Sequence, residues 1–273
     1  MKNFNRDFYE SNYFEMGTPV PFKLKDGEVV IHPVLVKDAN RYDYAKQILL
    51  IDKNKTNDIN VLQMSDLEYL LTLCLQGDDG EKELVQSQLG ILLSLCLHEE
   101  NIVFGIDGQL IRENNRPLIV ICDDNRMIKA KITPKEFDTI KKIILFQNDK
   151  DYDDTEYSAD MQEQIELWIK VKNQHSKSSG HIPTLEEKKA LLMAKNGMTE
   201  EQINNIRYRL FEVMAHSAIS SDEYIGEMII KGSYKYDVKE NIEHPIYREK
   251  KSLYEQAFVD ADSFASGMGG VAK

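Results

Sequence analysis

Apolar residues recur at intervals of three and four over most of the chain and switch to short alternating runs between about residues 101 and 132. That pattern reads as helices interrupted by a small β unit. The clearest helical passage runs from Pro183 to Met214. Leu185 and Leu192, with Ala190, Leu191 and Ala194, leave one side apolar opposite Glu186-Glu187-Lys188-Lys189. Gly197 suits the positive-φ position after a helix end. Thr199 then caps a second helix, with Gln202 in the reciprocal capping-box position. Ile203, Ile206, Leu210, Val213 and Met214 are the stripe that this second helix is expected to bury. The passage is an αα-hairpin.

Ahead of it, residues 1–18 carry no regular pattern and read as extended or poorly ordered, ending at Gly17-Thr18-Pro19. PFKLKDGEVVIHPVLV holds two strand-like segments around Asp26-Gly27, a pair that favours a two-residue type I′ hairpin turn. Asp38 opens a helix through Tyr42, Ala45, Ile48 and Leu49, with Ile51 as its furthest extent. Ser65 and Glu68 cap another, whose Leu67, Leu70, Leu71, Cys74 and Leu75 form a wide apolar face. Gly77 to Gly80 read as a loop, and a helix from roughly Glu83 to Cys96 is apolar through Leu84, Leu92, Leu93 and Leu95. The runs at 102–104, 109–111, 117–122 and 127–132 are separated by Asp107-Gly108, Asn114-Asn115 and Asp123-Asp124-Asn125, so an antiparallel meander is expected. Thr133-Pro134-Lys135-Glu136 begins a helix that buries Phe137, Ile140 and Ile144. Met161, Ile165, Trp168 and Ile169 mark the next, and KNQHSKSSGHIP is the linker. Ser220 and Glu223 cap a short helix ended by Gly232. A last helix spans Ile246 to about Phe264 with Tyr247, Tyr254, Phe258 and Ala261 on one side, and SGMGGVAK forms a flexible tail.

The expected fold class is α+β: mainly α-helical, with a small antiparallel β meander and a C-terminal helical domain. The expected division is an N-terminal α+β domain over 1–172 and a helical domain over 183–273. The formal net charge of −12 and a pI near 5.1 oppose sequence-independent binding to nucleic acid or to an anionic membrane. No apolar run approaches the length of a membrane-spanning helix, and the N-terminus lacks the apolar core of a signal peptide. Cys74, Cys96 and Cys122 are odd in number and set among apolar residues, so they read as buried free thiols of a cytosolic protein.

Candidate chemistry is sparse. Asp149, Asp151 and Asp153 match the opening of an EF-hand calcium loop, but Asp154 stands where the turn glycine belongs and Asp160 where a bidentate glutamate belongs. A solvated acidic loop is the plainer account. Among His32, His98, His175, His181, His216 and His244 there is no HExxH arrangement. His98, beside Glu99-Glu100, reads as a helix C-terminal histidine favoured by the dipole. Nucleophile elbows, phosphate loops and dinucleotide fingerprints are missing, so no catalytic, cofactor-binding or metal-ligating residue is assigned. The hairpin superficially matches a helix-turn-helix with Arg207 and Arg209 on the second helix. Between Leu185 and Phe211, however, five basic residues face four acidic ones, where a DNA reader carries a clear basic excess. Arg207, Arg209 and Phe211 are instead nominated as partner-binding residues. Met193, Met198, Met214 and Met228 are assigned to the core, with exposed members offering an adaptable apolar surface.

Three stretches together carry a resemblance: ITPKEFDTIKKIILFQND, the hairpin with its GMTEEQI turn, and RYRLFEVMAHSAISSDEYIGEMIIKGSYKYDVKENIEHPIY. In this order they resemble tail assembly chaperones and baseplate or hub assembly proteins of bacteriophages and prophages of Gram-positive bacteria. PFKLKDGEVVIHPVLV followed by DLEYLLTLCL is similar to the opening of T4-type baseplate hub assembly proteins. The resemblance implies a non-enzymatic protein without cofactors that binds other tail proteins, such as the tape measure, hub or baseplate components. It implies a place in the cytoplasm of the bacterial host or in the virion tail. A structural component of the tail or baseplate is the alternative within that group; a helix-turn-helix DNA-binding regulator and an enzyme of an unrecognised kind are the alternatives outside it.

Overall fold

The computed structural model describes residues 4–51, 53, 58–106, 109–155, 161, 163–165, 167, 168, 170 and 183–233. The expected linker apart from Pro183, the last helix, the tail, the Asp107-Gly108 turn, Asp160, Ile169, His175, His181 and His244 lie outside them. The fold is α+β and mainly helical with small antiparallel sheets, as the periodicity implies. Two compact units are present, Met1–Asp153 with Glu201–Val213, and Asp154–Glu200 with Met214–Lys273.

The first unit opens with a helical arm where the sequence suggests none. Its α1 is Arg6–Tyr9, which passes into a π-helical turn over Glu10–Phe14. The Asn5 side chain accepts from the Phe8 amide at 3.1 Å and so caps α1, a local signal the hydrophobic pattern does not carry. Strands β1 (Val20–Lys23) and β2 (Glu28–Ile31) form the expected hairpin with Lys23 opposite Glu28. Leu24 N–H donates to the Gly27 carbonyl at 3.1 Å, so Lys25-Asp26 rather than Asp26-Gly27 are the two turn residues. The turn is placed there because its tip joins another sheet: Lys131 N–H donates to the Asp26 carbonyl, and a Cβ on Gly27 (φ +112°) would collide with the backbone of Lys129.

A 3₁₀ turn (Val36–Asp38), α2 (Ala39–Ala45) and a second 3₁₀ turn (Lys46–Leu50) replace the single helix expected here, yet bury the expected Tyr42, Ala45, Ile48 and Leu49. After a one-turn α3 (Ile59–Gln63), α4 (Asp66–Gln76) is capped by Ser65, whose Oγ accepts from Glu68 N–H at 3.1 Å. Leu67, Leu70, Leu71 and Cys74 are buried beneath it. Helix α5 runs Asp79–Leu97, beginning earlier than the sequence suggests because Asp78 accepts from Glu81 N–H and caps it. That added turn makes Asp79 and Gly80 helical rather than loop. The buried face of α5 is Val85, Leu89, Leu92, Leu93, Cys96 and Leu97, with Leu84 exposed out of phase.

The β unit differs from a simple meander. Strands β3 (Ile102–Val103), β8 (Ile119–Cys122) and β9 (Ile128–Ile132) form one antiparallel sheet in that order. Two two-residue hairpins, β4 (Gly105–Ile106) with β5 (Gln109–Leu110) and β6 (Arg112–Glu113) with β7 (Arg116–Pro117), are inserted between β3 and β8. Asn114 and Asn115 both take positive φ, the conformation that an asparagine pair tolerates in a tight hairpin. Helix α6 (Pro134–Asn148) starts at the Thr133–Glu136 capping box and buries Phe137, Ile140 and Ile144.

In the second unit α7 (Leu185–Asn196) begins at a Thr184–Glu187 capping box and ends at Gly197 with φ +64°. The chain then forms α8 (Glu200–Asn204), which starts directly after Thr199 and lies almost wholly in the first unit, and α9 (Tyr208–Gly232), which belongs to the first unit up to Val213 and to the second from Met214. Helix α9 therefore absorbs the short helix expected from Ser220, and Gly232 ends it as the sequence indicates. Within α9, Gly226 has open space around a would-be Cβ. Gly226→Ala is expected to raise stability by about 0.5–1 kcal/mol, because alanine loses less backbone freedom on entering a helix. Urea denaturation of the two proteins checks it; a destabilised variant would mean that this helix is not formed around residue 226.

Candidate functional site

The nominated residues Arg207, Arg209 and Phe211 lie where the chain leaves α8. A continuous second helix is interrupted here by tertiary hydrogen bonds. Val36 N–H donates to the Ile206 carbonyl at 2.9 Å, and Tyr208 N–H donates to the Val34 carbonyl at 2.8 Å. Leu35 and Arg207 thereby form an antiparallel bridge. Residues 201–213 thus belong to the first unit, although the sequence reading assigns them to the C-terminal domain. The break also rotates the buried stripe. Ile203, Tyr208, Phe211 and Ala215 are buried, whereas Leu210 and Val213 are exposed and Ile206 and Met214 half-buried.

Each nominated side chain is engaged within its own unit. Phe211 is 0% exposed, which removes it as a surface contact. Arg209 Nη2 pairs with Glu10 Oε1 at 2.7 Å, and Arg207 Nη1 lies 3.5 and 3.4 Å from the carbonyl oxygens of Phe14 and Glu15. The two arginines hold the N-terminal arm, so they do not form the free basic face of a recognition helix. Between them, Tyr208 donates its hydroxyl to Asp43 Oδ2 at 2.7 Å. Asp43 Oδ1 and Asp149 Oδ2 lie 2.9 and 3.3 Å from Lys46 Nζ. Burial and the Asp43 carboxylate push the Tyr208 phenol up, and burial does the same to Tyr42. Burial alone would lower Lys46, but hydrogen bonds and charge from Asp43 and Asp149 outweigh it and raise the ammonium. Two neutral phenols and one charged lysine between two carboxylates form a structural clamp.

Asp149 is the C-terminal cap residue of α6 and pairs with Lys46, while Asp151 pairs with Lys150 at 2.7 Å. Among the described residues no group of three potential metal ligands is present. Cys74, Cys96 and Cys122 are free; the first two are buried and Cys122 is half-buried. Burial pushes the Cys96 thiol up to about 12 and raises Cys74 also, which leaves both unreactive.

His98 does end α5, but as a cap residue in the left-handed conformation (φ 53°), with its ring stacked on His32 at 3.8 Å between centroids. His32 is further tied by its N–H to the Cys96 carbonyl at 2.7 Å. Burial, then the charge of His98, lowers the proton affinity of His32 below the ordinary imidazole value. The unfolded chain binds this proton more readily, so the associated stability is present above about pH 6.5 and lost as pH falls through the folded-state value. Denaturation midpoints should therefore decline between pH 7 and 5, and His98→Asn, which tolerates the left-handed backbone, should flatten part of that decline. An unchanged slope would remove the pair as a cause.

Methionine placement differs from the core assignment. Met193 and Met228 are exposed and Met198 and Met214 half-buried. Met228 lies on α9 beside Ile225 and Ile229, at the i, i+3, i+4 spacing of one helix face, and Ile229 is 68% exposed. Ile230 is exposed on an adjacent side. On the same helix Asp222 is paired with Lys195 of α7, whose Nζ also donates to the Ala218 carbonyl at 3.0 Å. No described helix is long and apolar enough to cross a membrane. Compared with protein-family models, curated proteins and solved structures, the chain matches none of them.

Proposed function

We propose that this chain is a non-enzymatic tail or baseplate assembly protein of a bacteriophage or prophage, acting through contacts with other tail proteins in the host cytoplasm. The observation that carries the reading is the apolar face of α9 formed by Ile225, Met228 and Ile229. Isolated exposed apolar residues are ordinary, but three on one helix face form a surface suited to an apolar partner helix. Met228 adds adaptability, since its unbranched side chain repacks readily. The resemblance of the three sequence stretches supplies the biological setting.

Affinity capture from infected or prophage-induced cells, with mass spectrometry, tests the proposal alongside a search for the protein in purified particles. Recovery of a tape measure, hub or baseplate protein, lost on Ile229→Lys, is the expected result. Absence from the particle identifies an assembly chaperone and presence identifies a structural component. Capture of no tail protein together with absence from particles would overturn the reading.

A further inference from the structure

The N-terminal arm, residues 4–16, joins the rest of its unit in a way that suits exchange. Its hold is aromatic and electrostatic. Phe4 and Phe14 stack near Phe146 at 5.7 and 6.4 Å between centroids, Arg6 lies 4.7 Å over the Phe146 ring, and Glu10 meets Arg209. Little of it is buried. Phe14 is buried, but α1 buries none of its residues, Phe8 is 51% exposed and Met16 62%. The fit is also incomplete. The Glu10–Arg209 pair is made through one oxygen and one nitrogen only. Glu10 Oε2 and Arg209 Nη1 are shielded from solvent without a hydrogen-bond partner. Such a segment belongs to the low-stability end of local opening, where few buried apolar contacts oppose release. Gly17 ends the arm: its φ is +61°, and a Cβ there would overlap the Arg207 guanidinium.

We propose that the arm is exchangeable and seats on the same surface of a second copy of this chain, with Glu10 of one copy on Arg209 of the other. The seat is complementary to the arm in both charge and aromatic stacking. Exchange therefore conserves the contacts between arm and seat; the chain changes direction at Gly17-Thr18, where the bond from Thr18 N–H to the Tyr13 carbonyl (3.1 Å) is lost, and this is a low-cost route to a dimer. This inference is independent of the tail-assembly reading.

Charge exchange tests it with full-length chains. In Glu10→Arg the arm repels the Arg209 seat, and in Arg209→Glu the seat repels the Glu10 arm, within one chain or between two identical ones. Mixed together, each arm finds an opposite charge only on the other variant. The expected result is single-chain mass for each variant alone and twice 31.5 kDa for the mixture by light scattering after size exclusion. The chain carrying both substitutions regains its own pair and reports, through restored unfolding cooperativity, that each change is tolerated. Gly17→Ala loosens the arm without altering charge. A labelled peptide of residues 4–16 should bind this variant at least tenfold tighter than it binds Arg209→Glu. A mixture that remains at single-chain mass overturns the proposal, whatever the peptide does.

Discussion

Phe211→Ala is expected to lower the unfolding free energy by about 3–5 kcal/mol, the range for truncating a buried aromatic ring. Phe211 has no exposed surface, and its N–H donates to the Arg207 carbonyl at 2.9 Å where α9 begins. Removing the ring leaves a cavity in the segment that the Leu35–Arg207 bridge fastens to the first unit. The neighbouring Leu210 is 39% exposed, so Leu210→Ala should cost about 1 kcal/mol or less. Paired urea titrations decide the matter. A larger loss at 210 than at 211 would mean that the buried stripe is the one read from periodicity, and that the helix is not broken at Asn205–Arg207. A loss of partner binding in Phe211→Ala would accordingly report unfolding rather than a lost contact.

The second large effect is expected at Glu136. Its side chain is 1% exposed and accepts three hydrogen bonds, from Lys25 N–H at 2.7 Å, Thr133 N–H at 2.8 Å and Thr133 Oγ1 at 2.6 Å. The capping box is thus extended across the fold, and one carboxylate serves both the start of α6 and the tip of the β1–β2 hairpin. Glu136→Ala leaves two backbone donors without their acceptor and is expected to cost roughly 2–4 kcal/mol. Glu136→Gln retains the shape but offers one acceptor oxygen and an amide that faces a donor, so it should remain well below the parent protein. Thermal or urea unfolding measures both. If glutamine restored full stability, the contact with Lys25 would contribute nothing, and Glu136 would be a local cap alone.

The sequence by itself determined whatever depends on nearest neighbours along the chain. The Ser65 cap, the proline and capping box opening α6, Gly197 after α7 and the asparagine turn at 114–115 are short-range backbone chemistry, and each stands in the structure where the residues place it. The mainly helical α+β class follows for the same reason, since amphipathic period is a local property. Tertiary structure alone decided where a long helical pattern stops and which face it buries. Residues 199–214 read as one helix because nothing local interrupts their period. Val34 and Val36 interrupt it by pairing their backbone groups with Tyr208 and Ile206. A second helix then begins at Tyr208 with a shifted buried stripe. The candidate site shows the same limit. Arg207 and Arg209 were legible as a pair of cations, but their partners lie near the N-terminus, at Glu10, Phe14 and Glu15. Charge pairing between positions about 200 residues apart leaves no periodic trace in a single chain, whereas capping leaves one within four residues.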